Sequence, residues 1–252
     1  MNLLRLFYRF YILSKQQYGF NIFAIIYRMV GFGVGYLKYI SLQQNAAFST
    51  SVMDWYPCLS DNTEITPLDP VYFYQDAWAA GKIFNNKPAH HYDVGSAAKT
   101  IAIISQFVPT TMVDIRPIKL QMENLFFIKG SIIELPFDND SIESISSLCV
   151  VEHIGLGRYG DHLDQYGSEK AISELIRVTK PGGKIYFSVP VERKNKVYFN
   201  GHRALSREYI EMLFENCTIE EELYIINNDL CKSFQQGKGF TVALFSIKKN
   251  YK

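Results

Sequence analysis

The stretch HHYDVGSAAKTIAIISQFVPTTMVD, residues 90–114, decides the fold. Its apolar spacing predicts a strand over 90–94, a turn at Gly95, a helix over 97–107 and a second strand over 111–114. A strand, a helix and a strand in so short a span indicate parallel neighbouring strands joined by a crossover.

The same alternation continues on both sides of this stretch. The pattern predicts, in chain order, a helix over 70–83, strands over 125–129 and 142–151, a helix over 167–179, a strand over 184–191, and a late pair of strands over 219–226 and 241–248. Residues 41–70 have no sustained periodicity and are predicted to form a loop. The chain is therefore predicted to be an α/β protein with a mostly parallel central sheet and helices on both faces.

The residues that follow the first two strands suit a nucleotide-like ligand. In an open parallel sheet, ligands bind beyond the carboxyl ends of the strands. Gly95 permits close approach of the backbone at the start of a helix. Asp114 ends the second strand about twenty residues later, where an acid suits hydrogen bonds to the hydroxyls of a ribose.

Two further segments complete the pattern: GSIIELPF at 130–137 and ELIRVTKPGGKIY at 174–186. Together with Gly95 and Asp114 they resemble the class I S-adenosylmethionine-dependent methyltransferase superfamily, over about residues 88–192. The resemblance implies a Rossmann-like methyltransferase fold with a reversed edge strand, and S-adenosylmethionine as cofactor. The implied cofactor contacts are Asp93, Gly95 and Ser96 at the methionine side, Asp114 at the ribose, and Ser131 and Ile132 near the adenine.

A closer likeness lies in SLCVVEHIGLGRYGD at 147–161 and FNGHR at 199–203. These segments resemble an uncharacterised methyltransferase-like family of unknown function, which names no substrate. The candidate catalytic residues are His153, Glu152 and His202, since histidine titrates near neutral pH. The candidate acceptor contacts are Arg158, Tyr159, Asp161 and Arg203. The alternatives are that His153 only hydrogen-bonds the loop and that Arg203 only makes a structural pair.

Two aromatic residues and a histidine pair have simpler interpretations. Tyr74 and Trp78 lie in the helix before the first strand, where they either shield the cofactor or pack in the core, and packing is favoured. His90 and His91 begin a strand and have no further ligands at metal-site spacing. We therefore predict no metal site.

Residues 1–53 differ from the rest of the chain in charge. They contain five basic residues and no acid before Asp54, whereas residues 54–252 have 21 basic and 25 acidic residues. We therefore predict a basic, aromatic-rich helical segment over 1–53 and a methyltransferase-like domain over 54–252. Residues 2–40 have apolar residues at helical spacing, which indicates either a lid packed on the domain or contact with an anionic membrane surface. A signal peptide is disfavoured because charges interrupt the apolar region.

These observations favour an enzyme that methylates a small-molecule or glycan-related acceptor at oxygen or nitrogen. The glycan suggestion, and with it polysaccharide biosynthesis, comes only from the family resemblance. The alternative is a binding or assembly protein that keeps the fold without turnover, since Ser96, Ala97 and Ala98 stand where the family usually has glycines. The acidic main domain argues against a nucleic-acid partner. The absence of GxGxxG argues against a nicotinamide enzyme. Four cysteines without a framework favour the cytoplasm, with membrane association through residues 2–40 left open.

Overall fold

A computed structural model describes residues 22–43, 45–116, 118–235, 237 and 239–251. Residues 1–21 of the predicted helical segment over 1–53 lie outside the described residues. Contacts divide the chain into two units, Met1–Pro67 and Leu68–Lys252.

The first unit contains helix α1, Ile22–Ser41, and a 3-10 turn, Val52–Asp54. The hydroxyl of Tyr36 donates to the carbonyl of Thr50 at 2.6 Å. The rings of Phe32 and Tyr36 pack edge-on against Trp55, with centroids 5.1 and 5.0 Å away. Within the described part of the chain, no helix is both long enough and apolar enough to cross a membrane.

The second unit opens with helix α2, Pro70–Asn86. Proline at its first position fits a helix start, and the Asp69 carboxylate caps the turn by accepting from the amide of Val71 at 2.9 Å. The helix ends at Lys87, whose backbone is left-handed. The predicted helix over 70–83 is therefore confirmed and runs one turn further.

The centre of this unit is an eight-stranded sheet within the described residues, in the order β3-β2-β1-β4-β5-β10-β8-β9. Its strands are β1 (His91–Val94), β2 (Thr110–Asp114), β3 (Leu125–Lys129), β4 (Ile142–Leu148), β5 (Thr179–Pro190), β8 (Cys217–Ile226), β9 (Asp229–Cys231) and β10 (Thr241–Lys249). Strands β1 to β5 are parallel, and β10 runs antiparallel to both β5 and β8. Strand β9 is antiparallel to β8 at the edge. The predicted Rossmann-like α/β methyltransferase fold, with its mostly parallel sheet and reversed edge strand, is confirmed.

Three more helices complete the unit: α3 (Ala98–Ile104), α4 (Gly167–Val178) and α5 (Arg207–Leu213). The apolar stripe of α4 packs its buried Ile172 and Leu175 against β4 and β5 residues such as Ile145 and Phe187. The sequence analysis did not predict α5, nor the hairpin of β6 (Lys196–Tyr198) and β7 (His202–Ala204).

The end of β4 differs from the prediction. The expected strand over 142–151 stops at Leu148, because Cys149 has a left-handed backbone with φ of 53°. A non-glycine residue seldom takes this conformation. The chain then enters a 3-10 turn, Val151–His153, although the apolar letters of Val150 and Val151 continue the strand pattern. This turn directs the following residues over the carboxyl edge of the sheet.

Candidate functional site

A cavity of about 1260 Å³ lies at the carboxyl edge of the parallel strands. Residues that follow β1, β2, β3, β4 and β5 all line it. The strand order changes direction between β1 and β4, which is where open α/β sheets bind ligands. Small-molecule pockets usually measure about 300–1000 Å³, so this cavity has room for a nucleoside cofactor and an acceptor together.

The turn after β1 is held tightly against the sheet. Gly95 has φ of 74°, and a Cβ there would meet the Val150 side chain at 2.9 Å. The amide of Gly95 donates to the carbonyl of Val113 at 2.9 Å. The hydroxyl of Ser96 accepts from the amide of Leu148 at 3.0 Å, which ties the turn to β4. Glycine is therefore required at position 95, and Gly95 and Ser96 both face the cavity.

The carboxylate of Asp93 stabilises this turn through hydrogen bonds. It accepts from the amide of Ser96 at 3.0 Å and from the hydroxyls of Ser96 at 2.6 Å and Ser146 at 2.5 Å. The residue is fully buried, and burial raises the pKa of Asp93 to about 6 although the serine hydrogen bonds oppose the shift. Asp93 is not among the residues that line the cavity. The predicted direct contact of Asp93 with a ligand is therefore replaced by contacts that hold Ser96 in place.

A buried histidine continues this network through the sheet. Because Ser146 donates to Asp93, its oxygen is left to accept from His91 Nε2 at 3.0 Å. His91 Nδ1 then accepts from the Ser144 hydroxyl at 2.8 Å. Burial lowers the pKa of His91 to about 3, which keeps the ring neutral. Both ring nitrogens of His91 thus have serine partners. The described residues contain no cluster able to hold a metal ion.

Asp114 ends β2 at the cavity wall. Its Oδ1 accepts from the amide of Arg116 at 2.7 Å and lies 3.5 Å from Arg116 Nε. All contacts of this carboxylate within the described residues fall on Oδ1, so Oδ2 keeps its acceptor capacity for a ligand.

The turn after β3 brings Ser131 and Ile132 to the same cavity. The Ser131 hydroxyl accepts from the amide of Ile133 at 3.4 Å, and the side chain of Ile132 is buried. Helix α4 fixes this segment from behind. Glu174 accepts from the amide of Leu135 at 2.8 Å, and Arg177 donates to the carbonyl of Leu135 at 3.0 Å.

His153 lies in the 3-10 turn after β4 and lines the same cavity. Its Nδ1 lies 2.7 Å from the carbonyl of Gly201, so Nδ1 carries the hydrogen and Nε2 keeps its lone pair. Burial lowers the pKa of His153 more than the Gly201 hydrogen bond raises it. The ring is therefore neutral at neutral pH, with Nε2 able to accept a proton.

Glu152 lies beside His153 and is 1% exposed. Its Oε1 is 3.7 Å from His153 Nε2. Burial raises the pKa of Glu152 to about 8, partly opposed by the Cys149 thiol and by the charge of Arg158.

The loop from Gly155 to Asp164 is held by its own side chains. The Asp161 carboxylate accepts from the amides of Gly155 at 2.6 Å, Tyr159 at 3.2 Å and Gly157 at 3.4 Å. Burial acts to raise the pKa of Asp161, but these backbone hydrogen bonds outweigh it and the pKa is lowered. Asp161 lines the cavity, yet its oxygens are engaged by the loop.

Arg158 and Tyr159 line the cavity close to Arg116. The guanidinium of Arg158 lies 5.1 Å from the centre of the Tyr159 ring, and that of Arg116 lies 4.7 Å from it. Arg158 also donates to the carbonyl of Gly201 at 3.1 Å. His202 lines the cavity beside Phe240, with ring centroids 5.5 Å apart. Burial lowers the pKa of His202.

Arg203 does not line the cavity. It is 7% exposed and donates to the carbonyls of Ile154 and Asp164 and to the hydroxyl of Ser168. These contacts hold the loop in place, and they fit the alternative that Arg203 makes only structural pairs.

The sequence analysis missed Tyr72, which lines the cavity from α2 together with Val71. It considered Tyr74 and Trp78 instead. The Tyr74 hydroxyl donates to the carbonyl of Asn228 at 3.1 Å, and Trp78 Nε1 donates to Glu221 at 3.2 Å, so both pack away from the cavity. The helix was predictable, but periodicity alone does not say which of several aromatic residues faces a site.

A family model described as "Caenorhabditis protein of unknown function, DUF268" matches residues 133–221. A search of curated proteins finds no match at the significance level required.

Solved structures match the fold at low sequence identity. One is a 1,6-didemethyltoxoflavin-N1-methyltransferase from Burkholderia thailandensis, bound to 1,6-didemethyltoxoflavin and S-adenosylhomocysteine, with 11% identity, TM-score 0.54, and 74% of this chain and 93% of that chain covered. Another is the N-methyltransferase NodS from Bradyrhizobium japonicum, in complex with S-adenosylhomocysteine, with 14% identity, TM-score 0.53 and coverage of 73% and 89%. A third is the [4+2]-cyclase SpnF, with 12% identity, TM-score 0.53 and coverage of 70% and 82%. The chain thus has the class I methyltransferase fold, which also carries other chemistry.

Proposed function

We propose that the protein is an S-adenosylmethionine-dependent methyltransferase that acts on a small-molecule or glycan-related acceptor at oxygen or nitrogen. The observation that carries this proposal is the meeting of two groups of residues in one cavity. Gly95, Asp114 and Ser131 lie at the ends of β1, β2 and β3, and Glu152 and His153 follow β4. Two of the structural relatives named above were crystallised with S-adenosylhomocysteine, which supports the same cofactor here.

The residues present fit this cofactor. The left-handed Gly95 allows the backbone to approach a ligand, and Asp114 Oδ2 suits a ribose hydroxyl. Ser131 and Ile132 offer a hydroxyl and an apolar surface to an adenine. When bound, S-adenosylmethionine supplies an electrophilic methyl group on a sulfonium.

The chain's own contribution is to position the acceptor and to receive its proton. Holding the two reactants in line supplies much of the rate enhancement of such a transfer. His153 Nε2 has a lone pair at neutral pH and faces the cavity, so it is suited to take a proton from an acceptor hydroxyl or amine. Arg158 and Tyr159 line the cavity near His153 and are suited to contact the acceptor.

Binding and turnover test the proposal in sequence. Titration calorimetry of the full chain with S-adenosylhomocysteine is expected to show one saturable site. Methyl-labelled S-adenosylmethionine, incubated with candidate amines, phenols and sugars, is then expected to label an acceptor. Binding without any transfer supports the alternative, a protein that keeps the fold without turnover. Absence of binding contradicts both.

We also propose that α1 contacts an anionic membrane surface while the rest of the protein remains in the cytoplasm. Large apolar side chains of α1 are exposed, including Phe23 at 80% and Tyr27 at 81%. The helix contains Arg28 and Lys38 and no acidic residue. An apolar helix with only positive charge suits the interface of an anionic membrane.

A further inference from the structure

Three lysine or arginine side chains of the described residues line the cavity, and they differ in whether they have an acidic partner. Lys170 Nζ lies 2.6 Å from Asp164 Oδ2, and Arg116 Nε lies 3.5 Å from Asp114 Oδ1. Arg158 forms no ion pair with an acid of the described residues. Arg158 is therefore the cation of this cavity whose charge is left for a ligand.

Contacts with the protein hold the Arg158 guanidinium in a defined place. Nη1 donates to the carbonyl of Gly201 at 3.1 Å and lies 3.4 Å from His153 Nδ1. The guanidinium carbon lies over the Tyr159 ring, 5.1 Å from its centre. All hydrogen bonds of Arg158 within the described residues come from Nη1, so Nε and Nη2 keep their N–H groups for a ligand.

A second guanidinium lies over the same ring. Arg116 follows β2, and its guanidinium carbon is 4.7 Å from the centre of the Tyr159 ring. Tyr159 also packs edge-on against His153, with ring centroids 5.6 Å apart. Two positive charges that lie close together repel each other, and an anion bound beside them offsets that repulsion. Arg116, Arg158 and Tyr159 thus form a positively charged wall next to the proposed base.

Neighbouring ionisable groups leave the charge of Arg158 uncompensated. Burial lowers the pKa of His153 and of His202, and the charge of Arg158 lowers both further, so both rings are neutral at neutral pH. Burial raises the pKa of Glu152 to about 8, so this carboxyl is largely protonated at neutral pH. The Asp161 carboxylate accepts hydrogen bonds from amides of its own loop. A ligand anion therefore has no rival among these groups.

We propose that the acceptor carries an anionic group, a carboxylate or a phosphate, which binds to the Arg158 guanidinium beside Arg116. This rests on the proposed methyl transfer and adds the charge of the acceptor to it. A guanidinium matches two oxygens of either anion with parallel N–H groups. Because Arg158 Nη1 lies 3.4 Å from the His153 ring, an anion held there brings the rest of a small molecule to the base. The substrate class is a small acid whose oxygen or nitrogen nucleophile lies within a few bonds of its anionic group.

The test is a titration of the full chain, saturated with S-adenosylhomocysteine and followed through the ¹⁵N signal of Arg158 Nε. Loss of that signal in Arg158→Lys assigns it. The probes are sodium propionate, sodium methyl phosphate, and propionamide, which is a neutral molecule of the same shape as propionate. Sodium chloride at the same ionic strength is the salt control. Each titration is repeated without S-adenosylhomocysteine, whose own binding is recorded separately.

Arg193 provides a matched control, because it is also an exposed arginine without an acidic partner among the described residues, but it lies outside the cavity lining. Propionate or methyl phosphate is expected to bind at least about tenfold more tightly than propionamide and to shift the Arg158 signal in a saturable way. The Arg193 signal is expected to stay unchanged. The anion that binds more tightly identifies the group of the acceptor as a carboxylate or a phosphate.

Two variants test whether the charge of Arg158 is responsible. Arg158→Gln is expected to weaken binding of the preferred anion by at least about tenfold, and to bind S-adenosylhomocysteine as the unsubstituted chain does. Arg193→Gln is expected to change anion binding by less than about twofold, since an isolated surface charge contributes little. If Arg158→Gln does not fold, the titration of the unsubstituted chain decides.

Three results overturn the proposal. They are an Arg158 signal insensitive to both anions, an equal response to propionamide or sodium chloride, and a response abolished by S-adenosylhomocysteine, which would show that the cofactor's own carboxylate occupies the position. If S-adenosylhomocysteine binds and the anion preference is absent, only this proposal fails. If S-adenosylhomocysteine does not bind, the proposed function fails, and the titration without it still decides whether Arg158 binds an anion.

Discussion

The turn after β1 and the loop after β4 face the same cavity but are built in different ways. The turn consists of few residues, and the sheet fixes it through Gly95 and the Ser96 hydroxyl. The loop from Gly155 to Asp164 is fixed by side chains, chiefly Asp161 from within and Arg203 from behind. In the turn, the backbone is therefore what meets a ligand. In the loop region, most polar side chains maintain the loop itself, and only a few are left for chemistry.

Some residues of these two regions are placed to touch a ligand, and others hold the first group in place. Glu152 and His153 come before the loop and are oriented by it, whereas Asp161 and Arg203 stabilise it. Substitutions in the two groups are expected to have different consequences. The first group should change turnover, and the second should change folding.

The largest expected effect is on folding, from Gly155→Ala. Gly155 has φ of 80°, and a Cβ there would overlap the carbonyl oxygen of Asp164. Neither backbone can yield easily, so we expect a loss of about 3 kcal/mol or more in the free energy of unfolding. Urea unfolding measures it.

Gly160→Ala is the control for that substitution. Gly160 also has a left-handed backbone, with φ of 86°, but nothing lies within 4 Å of its added Cβ. Its expected cost is about 1–2 kcal/mol, from conformation alone. Equal losses in the two variants would show that the loop is not tightly packed.

A smaller effect, confined to turnover, is expected from His153→Ala. Loss of a general base lowers kcat by roughly 10²-fold or more, equivalent to about 2.7 kcal/mol. Affinity for S-adenosylhomocysteine should stay within about threefold, because His153 follows β4, whereas Asp114 ends β2, on the far side of β1 in the sheet. His90→Ala is the control, since His90 lies outside the cavity lining and contacts Thr111. If His153→Ala lost both cofactor affinity and stability, the role of His153 would be to hold the loop in place.

The pH dependence of turnover tests the same assignment. Since burial lowers the pKa of His153, its neutral, proton-accepting form persists below the ordinary value of 6.5. Turnover limited by this residue is therefore expected to fall only at a pH below 6.5 as acid protonates the ring. A fall centred above that value would point to another group.

The two regions also differ in how far the sequence predicted them. The spacing of Gly95 and Asp114 predicted that both lie at the same edge of the sheet, because the carboxyl ends of parallel strands meet there. The loop contacts were not predictable, since neither the partners of Arg203 nor the occupied oxygens of Asp161 follow from spacing. The predicted end of β4 at residue 151 was wrong because an apolar run continues through Cys149. The left-handed backbone of Cys149 depends on tertiary contacts, which the sequence pattern does not show. Tyr72 was missed because the side of α2 that faces the cavity depends on how the helix packs against the sheet.

The smallest expected effect concerns α1. If its exposed apolar face contacts anionic lipid, the full chain should sediment with anionic vesicles at low salt and less at high salt. Replacing Phe23 and Tyr27 together by Glu should weaken that binding, because it removes apolar surface and adds negative charge. Each basic residue of the helix is expected to contribute about 1 kcal/mol of attraction to the membrane. Neutral vesicles are the control. Equal sedimentation of the two chains would contradict membrane contact through this face.

The most direct test of the central claim is calorimetric titration of three full-length chains with S-adenosylhomocysteine: the unsubstituted protein, Asp114→Ala and Asp138→Ala. Asp138 is exposed and lies outside the cavity lining, so it controls for the loss of one negative charge. The account predicts saturable binding by the unsubstituted protein, a loss of about 1.5–3 kcal/mol in Asp114→Ala, and no change in Asp138→Ala. Failure of the unsubstituted protein to bind, or unchanged affinity in a folded Asp114→Ala, would contradict it.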